Sequence, residues 1–277
     1  MLPLRFNFSF YPTARLTRPR RLASVNGMIP RIILVVAGLL LSSMTFFVAA
    51  ADAKPVRALL ITGGCCHNYP FQAQQLTNAL AKLTPVEWTI VMEGKGTQAE
   101  ISLYDRPDWA KGFDVVVHNE CFANTTNQAY IRKITSAHRA GTPAVVIHCA
   151  MHTYRATAID DWREFLGVTS RRHDHQGKYP VKLVAADHVI LNGLVSSWVT
   201  PMDELYVIEK LWPNATALAT SLSEQDGKTY PVAWVNQYGK ARVFGTTFGH
   251  SDDAWRDENF LKLVARGTLW AAGRLEK

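Results

Sequence analysis

Short apolar runs alternate with segments of helical periodicity through the first half of the chain. Each run ends in glycine or in polar residues, which is typical of a buried strand in a parallel sheet. Strands separated by helices indicate right-handed β-α-β units with helices on both faces of the sheet. The predicted strands are residues 56–64, 87–92, 114–119 and 144–148.

The second half of the chain carries shorter strands and turn signals. Gly227 and the turn at 238–240 separate the last three of these strands, which predicts antiparallel hairpins added to the sheet. An apolar stripe after Asp257 predicts a closing helix. We therefore expect one α/β domain over residues 54–277, a three-layer sandwich with a mostly parallel sheet. The shorter strands are residues 181–184, 204–208, 216–220, 232–236 and 242–247.

A different pattern precedes this domain. Residues 32–51 carry no charge, follow Arg31 and end at a small-x-small site over residues 51–53. These are the parts of a secretory signal peptide. A membrane anchor is the alternative, because about twenty apolar residues can span a bilayer. Met28 is an alternative start. Either way we expect the domain to be exported, in a periplasmic or extracellular space or anchored through residues 1–53.

The charge of the whole chain is misleading. Its net charge of +7 suggests a polyanionic partner. Six of the 30 basic and one of the 23 acidic residues precede Lys54, so residues 54–277 keep 24 and 22, a net charge of +2. This argues against a nucleic-acid partner and favours a small neutral ligand. A hydrophobic content of 48% excludes a disordered chain, and four cysteines do not make a disulfide scaffold.

Histidines follow several of the predicted strands. His67 follows the first strand, His118 lies at the end of the third, His148 follows the fourth and His250 the last. Ligands bind at the carboxyl ends of the strands in an open α/β sheet, so we expect these side chains to share one edge. The His-Asp-His segment 173–175 lies in a polar stretch and is predicted to be a solvated loop. Further candidates for contact with substrate are Asn119, Glu120, His152, Asp252 and Trp255.

A metal site, a cysteine nucleophile and a phosphate loop are the alternatives for these strand ends. Neutral imidazoles suit a divalent metal such as zinc, with His67, His148 and His250 as ligands. Cys149 follows a buried strand, as a nucleophile elbow requires, but no glycine flanks it. That favours a buried, inert cysteine. The two glycines at 63–64 lack the other residues of a phosphate-binding motif.

Several motifs resemble the ThuA-like (trehalose utilisation) family. They are the strand end 62–64 with His67, then residues 146–148, 187–194, 203–206, 239–250 and 266–273. The resemblance implies a class I glutamine amidotransferase-like fold and a role in carbohydrate metabolism. It further implies a disaccharide or 3-keto glycoside as substrate, with a partner sugar oxidoreductase. The residues that fall on the family's polar strand-end positions, and that we expect to be catalytic, are His67, His148, Glu204 and His250.

Three functional hypotheses follow. The first is a carbohydrate-active enzyme, isomerase-like or hydrolase-like, that uses this His and Glu set for acid-base or metal-assisted chemistry. The second is a non-catalytic carbohydrate-binding module that binds a small sugar through tryptophan side chains. The third is a cysteine hydrolase centred on Cys149. Membrane contact is expected only through the N-terminal segment. The tryptophans near loop signals are Trp109, Trp162, Trp198 and Trp255.

Overall fold

A nine-stranded sheet organises residues 54–275, the part of the chain that the computed structural model describes. The predicted signal or anchor segment and alternative start lie outside these residues. Between residues 54 and 275, no helix is long and apolar enough to cross a membrane. The strands are β1 (Val56–Gly64), β2 (Val86–Lys95), β3 (Val115–Cys121), β4 (Ala144–Ile147), β5 (Val168–Gly177), β6 (Pro180–Leu183), β7 (Ser197–Val199), β8 (Asp203–Leu211), β9 (Ala215–Leu222), β10 (Thr229–Tyr238) and β11 (Ala241–Thr246).

Five strands form the parallel half of this sheet, in the order β2-β1-β3-β4-β11. The central strands are buried along most of their length because helices cover both faces, and each of them contains an apolar run. The first and last helices pack together, and so do the second and third, which gives the predicted three layers. The helices are α1 (Tyr69–Ala81), α2 (Gln128–Ala140), α3 (Asp161–Leu166) and α4 (Glu258–Ala271).

The sheet continues beyond β11 with antiparallel strands, as the turn signals predict. β10 pairs antiparallel with β11 and with β9, and β6 and β7 complete the edge. The turn between β10 and β11 contains Gly239 at φ 55°, a left-handed conformation that favours glycine. The predicted closing helix is α4. Its N-cap Asp257 accepts a hydrogen bond from the backbone N–H of Phe260 at 2.8 Å.

One part of the sequence-based prediction is wrong. Residues 173–175 belong to β5, which pairs antiparallel with β8 in a separate two-stranded sheet. The β5 residues are mostly polar and the pairing contains several register shifts, so the strand lacks the regular apolar alternation that would reveal it. The β5-β8 ribbon brings part of β5 to the carboxyl edge of the main sheet.

The chain reverses its direction of travel through the sheet at β1. It moves outward from β1 to β2 and then returns to place β3 on the other side of β1. Such a topological switch point leaves a crevice at the carboxyl ends of the two diverging strands, and ligands of open α/β sheets bind there. The residues that follow β1, β3, β4 and β11 therefore lie at this edge of the sheet.

Candidate active site

Three histidines meet at this edge of the sheet, each from a different strand end. The ring centroids lie 4.9 Å apart for His67 and His148, 5.1 Å for His67 and His250, and 5.4 Å for His148 and His250. All three pairs pack edge to face. We refer to these residues together with Glu204 as the imidazole cluster.

Glu204 completes the cluster from the start of β8. One of its carboxylate oxygens lies 3.3 Å from Nδ1 of His250, and the other lies 3.7 Å from Nε2 of His148. The side chain is only 8% exposed. At 3.3 Å the carboxylate can accept a proton from the His250 ring, and it can also accept one from a ligand between the rings.

The backbone at His148 is left-handed, with φ at 46°. It lies directly after β4, at the first residue of a short 3-10 turn over His148–Met151. A sharp strand-to-turn junction with a strained residue is the arrangement that exposes a functional side chain in a nucleophile elbow. In this chain the strained position holds a histidine, and Cys149 follows it.

A close backbone approach holds His250 against this junction. Gly249 has φ +123°, and a Cβ atom there would lie 3.3 Å from Ile147 Cγ2 and 3.4 Å from His148 Cβ. The buried Asp203 carboxylate accepts hydrogen bonds from the backbone N–H groups of Gly249 at 3.0 Å and His250 at 3.1 Å. Burial raises the pKa of Asp203 to about 7, and these donors oppose the rise.

Hydrogen bonds fix the tautomers of two rings. His67 Nδ1 lies 3.3 Å from the carbonyl oxygen of His250, and His148 Nδ1 lies 2.6 Å from that of Thr247. A carbonyl oxygen only accepts, so each Nδ1 carries the proton and each Nε2 keeps its lone pair. The hydroxyl of Tyr206 donates to His148 Nε2 at 3.3 Å.

Burial keeps the three imidazoles neutral. Desolvation lowers the pKa of His67 to about 4, and the nearby His250 lowers it further. Desolvation also places the pKa of His148 well below its ordinary value, with His67 as the next cause. The pKa of His250 is lowered by desolvation, which outweighs the opposing effect of Glu204. Neutral rings are able to bind metal ions and to accept protons.

These features fit a divalent ion. One ligand nitrogen from each of His67, His148 and His250 lies within 4.8 Å of the other two. Three histidines typically leave a fourth position on zinc open to water or substrate. The carbonyl oxygens that accept from Nδ1 of His67 and His148 are the supporting contacts that usually orient ligating histidines.

Three further residues reach the cluster although the strand-end argument did not select them. Tyr206 stacks on the ring of His152, with centroids 3.9 Å apart. His173 Nε2 lies 3.7 Å from Glu204, and the side-chain amide of Gln176 donates to His250 Nε2 at 2.8 Å. Both β5 residues are exposed at the rim of the site.

Of the residues predicted to contact substrate, some lie at the rim of the site and others are buried in the protein interior. Asp252 is half-buried and accepts a hydrogen bond from the exposed Asn68 at 3.0 Å. His152 is buried behind Tyr206. Trp255 is fully buried and donates from Nε1 to the Gly249 carbonyl at 2.8 Å. The structure therefore places Trp255 in support of the His250 loop, with no face open to a sugar.

The strand end of β3 also points inward. Asn119 is buried and donates to Gln72 at 2.9 Å, and Gln72 donates in turn to the Gly249 carbonyl. Glu120 is fully buried, and its carboxylate lies 2.9 Å from His118 Nδ1. His118 Nε2 lies 3.0 Å from Nε2 of His138 on α2. Glu120 thus belongs to an internal network away from the imidazole cluster.

The cysteine-nucleophile hypothesis has little structural support. Cys149 is 7% exposed and is disulfide-bonded to Cys121. A disulfide sulfur is not a thiolate, and the thiolate is the reactive form of cysteine. The strained position of the junction belongs to His148.

The fold and the position of the imidazole cluster at the carboxyl ends of the strands are typical of one class of protein. A mostly parallel sheet between two helical layers, with functional side chains at the carboxyl strand ends, is the architecture of the class I glutamine amidotransferase-like superfamily. The sequence over residues 58–271 matches the family model described as ThuA, trehalose utilisation. The chain belongs to the ThuA family. No curated protein matches the chain.

Solved structures share the fold at low sequence identity. A ThuA-like protein from Parabacteroides merdae has a TM-score of 0.66 at 21% identity, covering 81% of this chain and 92% of its own. A ThuA-like protein from Bacteroides uniformis has a TM-score of 0.63 at 17% identity, covering 82% and 96%. A β-galactosidase from Rahnella sp. R3 has a TM-score of 0.53 at 15% identity, covering 81% of this chain and 32% of its own.

Proposed function

We propose that this chain is an exported carbohydrate-active enzyme whose reaction takes place at the imidazole cluster. The observation that carries the proposal is the convergence of three neutral imidazoles and one carboxylate at the switch point of the sheet. Perturbed titratable groups that converge in one place are typical of active sites. Membership of a trehalose utilisation family favours a carbohydrate as the substrate.

The substrate class follows from charge and family together. Residues 54–277 carry a net charge of +2, which suits a small neutral ligand. We take the substrate to be a disaccharide or a 3-keto glycoside derivative. A ketone on the sugar would be supplied by a partner sugar oxidoreductase, because nothing in the cluster performs hydride transfer by itself.

The residues of the imidazole cluster and its neighbours have different roles in the proposed reaction. A divalent ion held by His67, His148 and His250 would polarise a sugar carbonyl or activate water. Glu204 faces the same space and takes the proton from the carbon next to the carbonyl, or from water. Gln176 holds the His250 ring from the rim. Without an ion, the Nε2 lone pair of His148 provides the base, with Tyr206 as its hydrogen-bond partner.

The full-length protein should be purified, analysed for bound metal and incubated with native and 3-keto disaccharides. Turnover followed by NMR should fall about 100-fold or more in His148→Ala and in His250→Ala. His175→Ala is the matched control, because His175 is exposed and faces Glu224, outside the cluster. Unchanged turnover in both cluster variants, together with no stoichiometric metal, would refute the proposal. Binding of sugar without any product would instead identify a carbohydrate-binding module.

A further inference from the structure

All four cysteines of the chain meet at the switch point, beside the imidazole cluster. Cys65 and Cys66 follow β1 and are disulfide-bonded to each other, and Cys121 at the end of β3 is bonded to Cys149. The two pairs are in contact, because Cys65 Sγ lies 3.8 Å from Cys121 Sγ. We call these four residues the sulfur cluster.

The backbone is shaped to bring these sulfurs together. Gly64 has φ +107°, and a Cβ atom there would lie 2.3 Å from the carbonyl oxygen of Cys121, so only glycine allows β1 to approach β3 this closely. Cys66 is left-handed, with φ at 82°. The hydroxyl of Tyr69 donates to the Cys65 carbonyl at 2.7 Å and holds the loop in place. Strained backbone of this kind is concentrated at functional sites.

One separation between sulfurs of the two disulfides equals the sulfur–sulfur distance of a tetrahedral metal site. Zinc–sulfur bonds of about 2.3 Å in a tetrahedron separate the sulfurs by about 3.8 Å. That is the separation between Cys65 and Cys121. The ligand atoms of Cys65, Cys66 and Cys121 lie within 4.8 Å of one another, and so do those of His67, Cys121 and Cys149. Cys121 belongs to both sets and would be the common ligand.

We propose that the sulfur cluster binds one zinc-like, thiophilic ion when its two disulfides are reduced. Thiolate ligands select such ions over the harder ones that prefer oxygen. Each disulfide takes up two electrons and two protons from a small dithiol, which is oxidised to its own disulfide. The thiols lose their protons as the ion binds. Cys66 is exposed, so the dithiol can begin at the Cys65–Cys66 bond.

The test uses Co²⁺ as a spectroscopic probe. Full-length protein is reduced with dithiothreitol, freed of reductant without oxygen and titrated with Co²⁺. A sulfur-to-cobalt charge-transfer absorption should grow to one equivalent and disappear when Zn²⁺ is added, whereas the oxidised protein should show none. This band reports sulfur ligation alone, so it is independent of any ion held by histidines.

Variants assign the band to the cluster. Cys121→Ser should weaken the Co²⁺ affinity at least about 100-fold, more than the loss of a supporting partner causes. His250→Ala should keep the band, because His250 belongs to the imidazole cluster. Cys66→Ser tests the same site at an exposed position if Cys121→Ser fails to fold. Cobalt binding without the sulfur band, or a band unchanged in Cys121→Ser and Cys66→Ser, would overturn the proposal. Neither outcome bears on catalysis by the imidazole cluster.

Discussion

His67 should make the protein sensitive to mild acid. Its pKa is lowered from 6.5 to about 4, chiefly by desolvation. As the pH falls below 6.5, the unfolded chain takes up a proton at this ring before the folded protein does. The stability contributed by the neutral ring is therefore present above pH 6.5, is lost progressively as the pH falls, and is gone below about 4.

The size of the effect follows from the same two values. A difference of one pKa unit corresponds to about 1.4 kcal/mol, so the complete loss amounts to about 3.4 kcal/mol and the loss at about pH 4.5 to about 2.5 kcal/mol. His67→Gln removes the titrating ring and keeps a side chain that can donate to the His250 carbonyl. We expect urea unfolding to show that wild type loses about 2.5 kcal/mol more than this variant between pH 7 and about pH 4.5.

The design separates titration from packing. Any fixed cost of His67→Gln is present at both pH values and cancels when the pH-dependent losses are compared. An identical loss in wild type and variant would show that His67 ionises as easily in the folded protein as in the unfolded chain. The ring would then not be desolvated as the structure describes, and its neutrality at the imidazole cluster would have to be abandoned. Titration of its ring protons by NMR gives an independent check.

Substitutions at two further positions test the internal Glu120 network and the backbone beside His250. Glu120→Ala leaves buried His118 without its carboxylate partner and should lower the free energy of unfolding by about 3–5 kcal/mol, whereas Glu120→Gln keeps a polar partner and should cost about 1 kcal/mol. Gly249→Ala places a Cβ atom against Ile147 at a left-handed position and should cost about 1–3 kcal/mol. Urea unfolding measures both; equal losses in the two Glu120 variants would contradict the paired network.

The central fold could be predicted because its strands are buried on both faces. β1, β3 and β4 appear in the sequence as short apolar runs, and their order with intervening helices specifies a parallel sheet. The same argument predicts that His67, His148 and His250 lie at one edge of the sheet. Their ring centroids lie within 5.4 Å of one another because parallel strands end at the same edge of the sheet.

The parts that could not be predicted depend on contacts distant in sequence. β5 is a polar strand whose partner β8 begins well after it, so no local alternation reveals it. Strand length matters as well. β3 continues to Cys121, which leaves His118 inside the strand, where it faces the buried ring of His138. A strand prediction that ends two residues early misassigns such a side chain to the edge.

His67 couples the two clusters through a single lone pair. Its Nδ1 proton is committed to the His250 carbonyl, so only Nε2 can ligate an ion. The ring lies within ligand distance of His148 and His250 on one side and of Cys121 and Cys149 on the other. A zinc ion in the reduced sulfur cluster that takes this nitrogen removes it from the imidazole cluster. Reduction with zinc should then lower turnover in wild type and leave Cys121→Ser unaffected, whereas equal turnover in both would show that the clusters act independently.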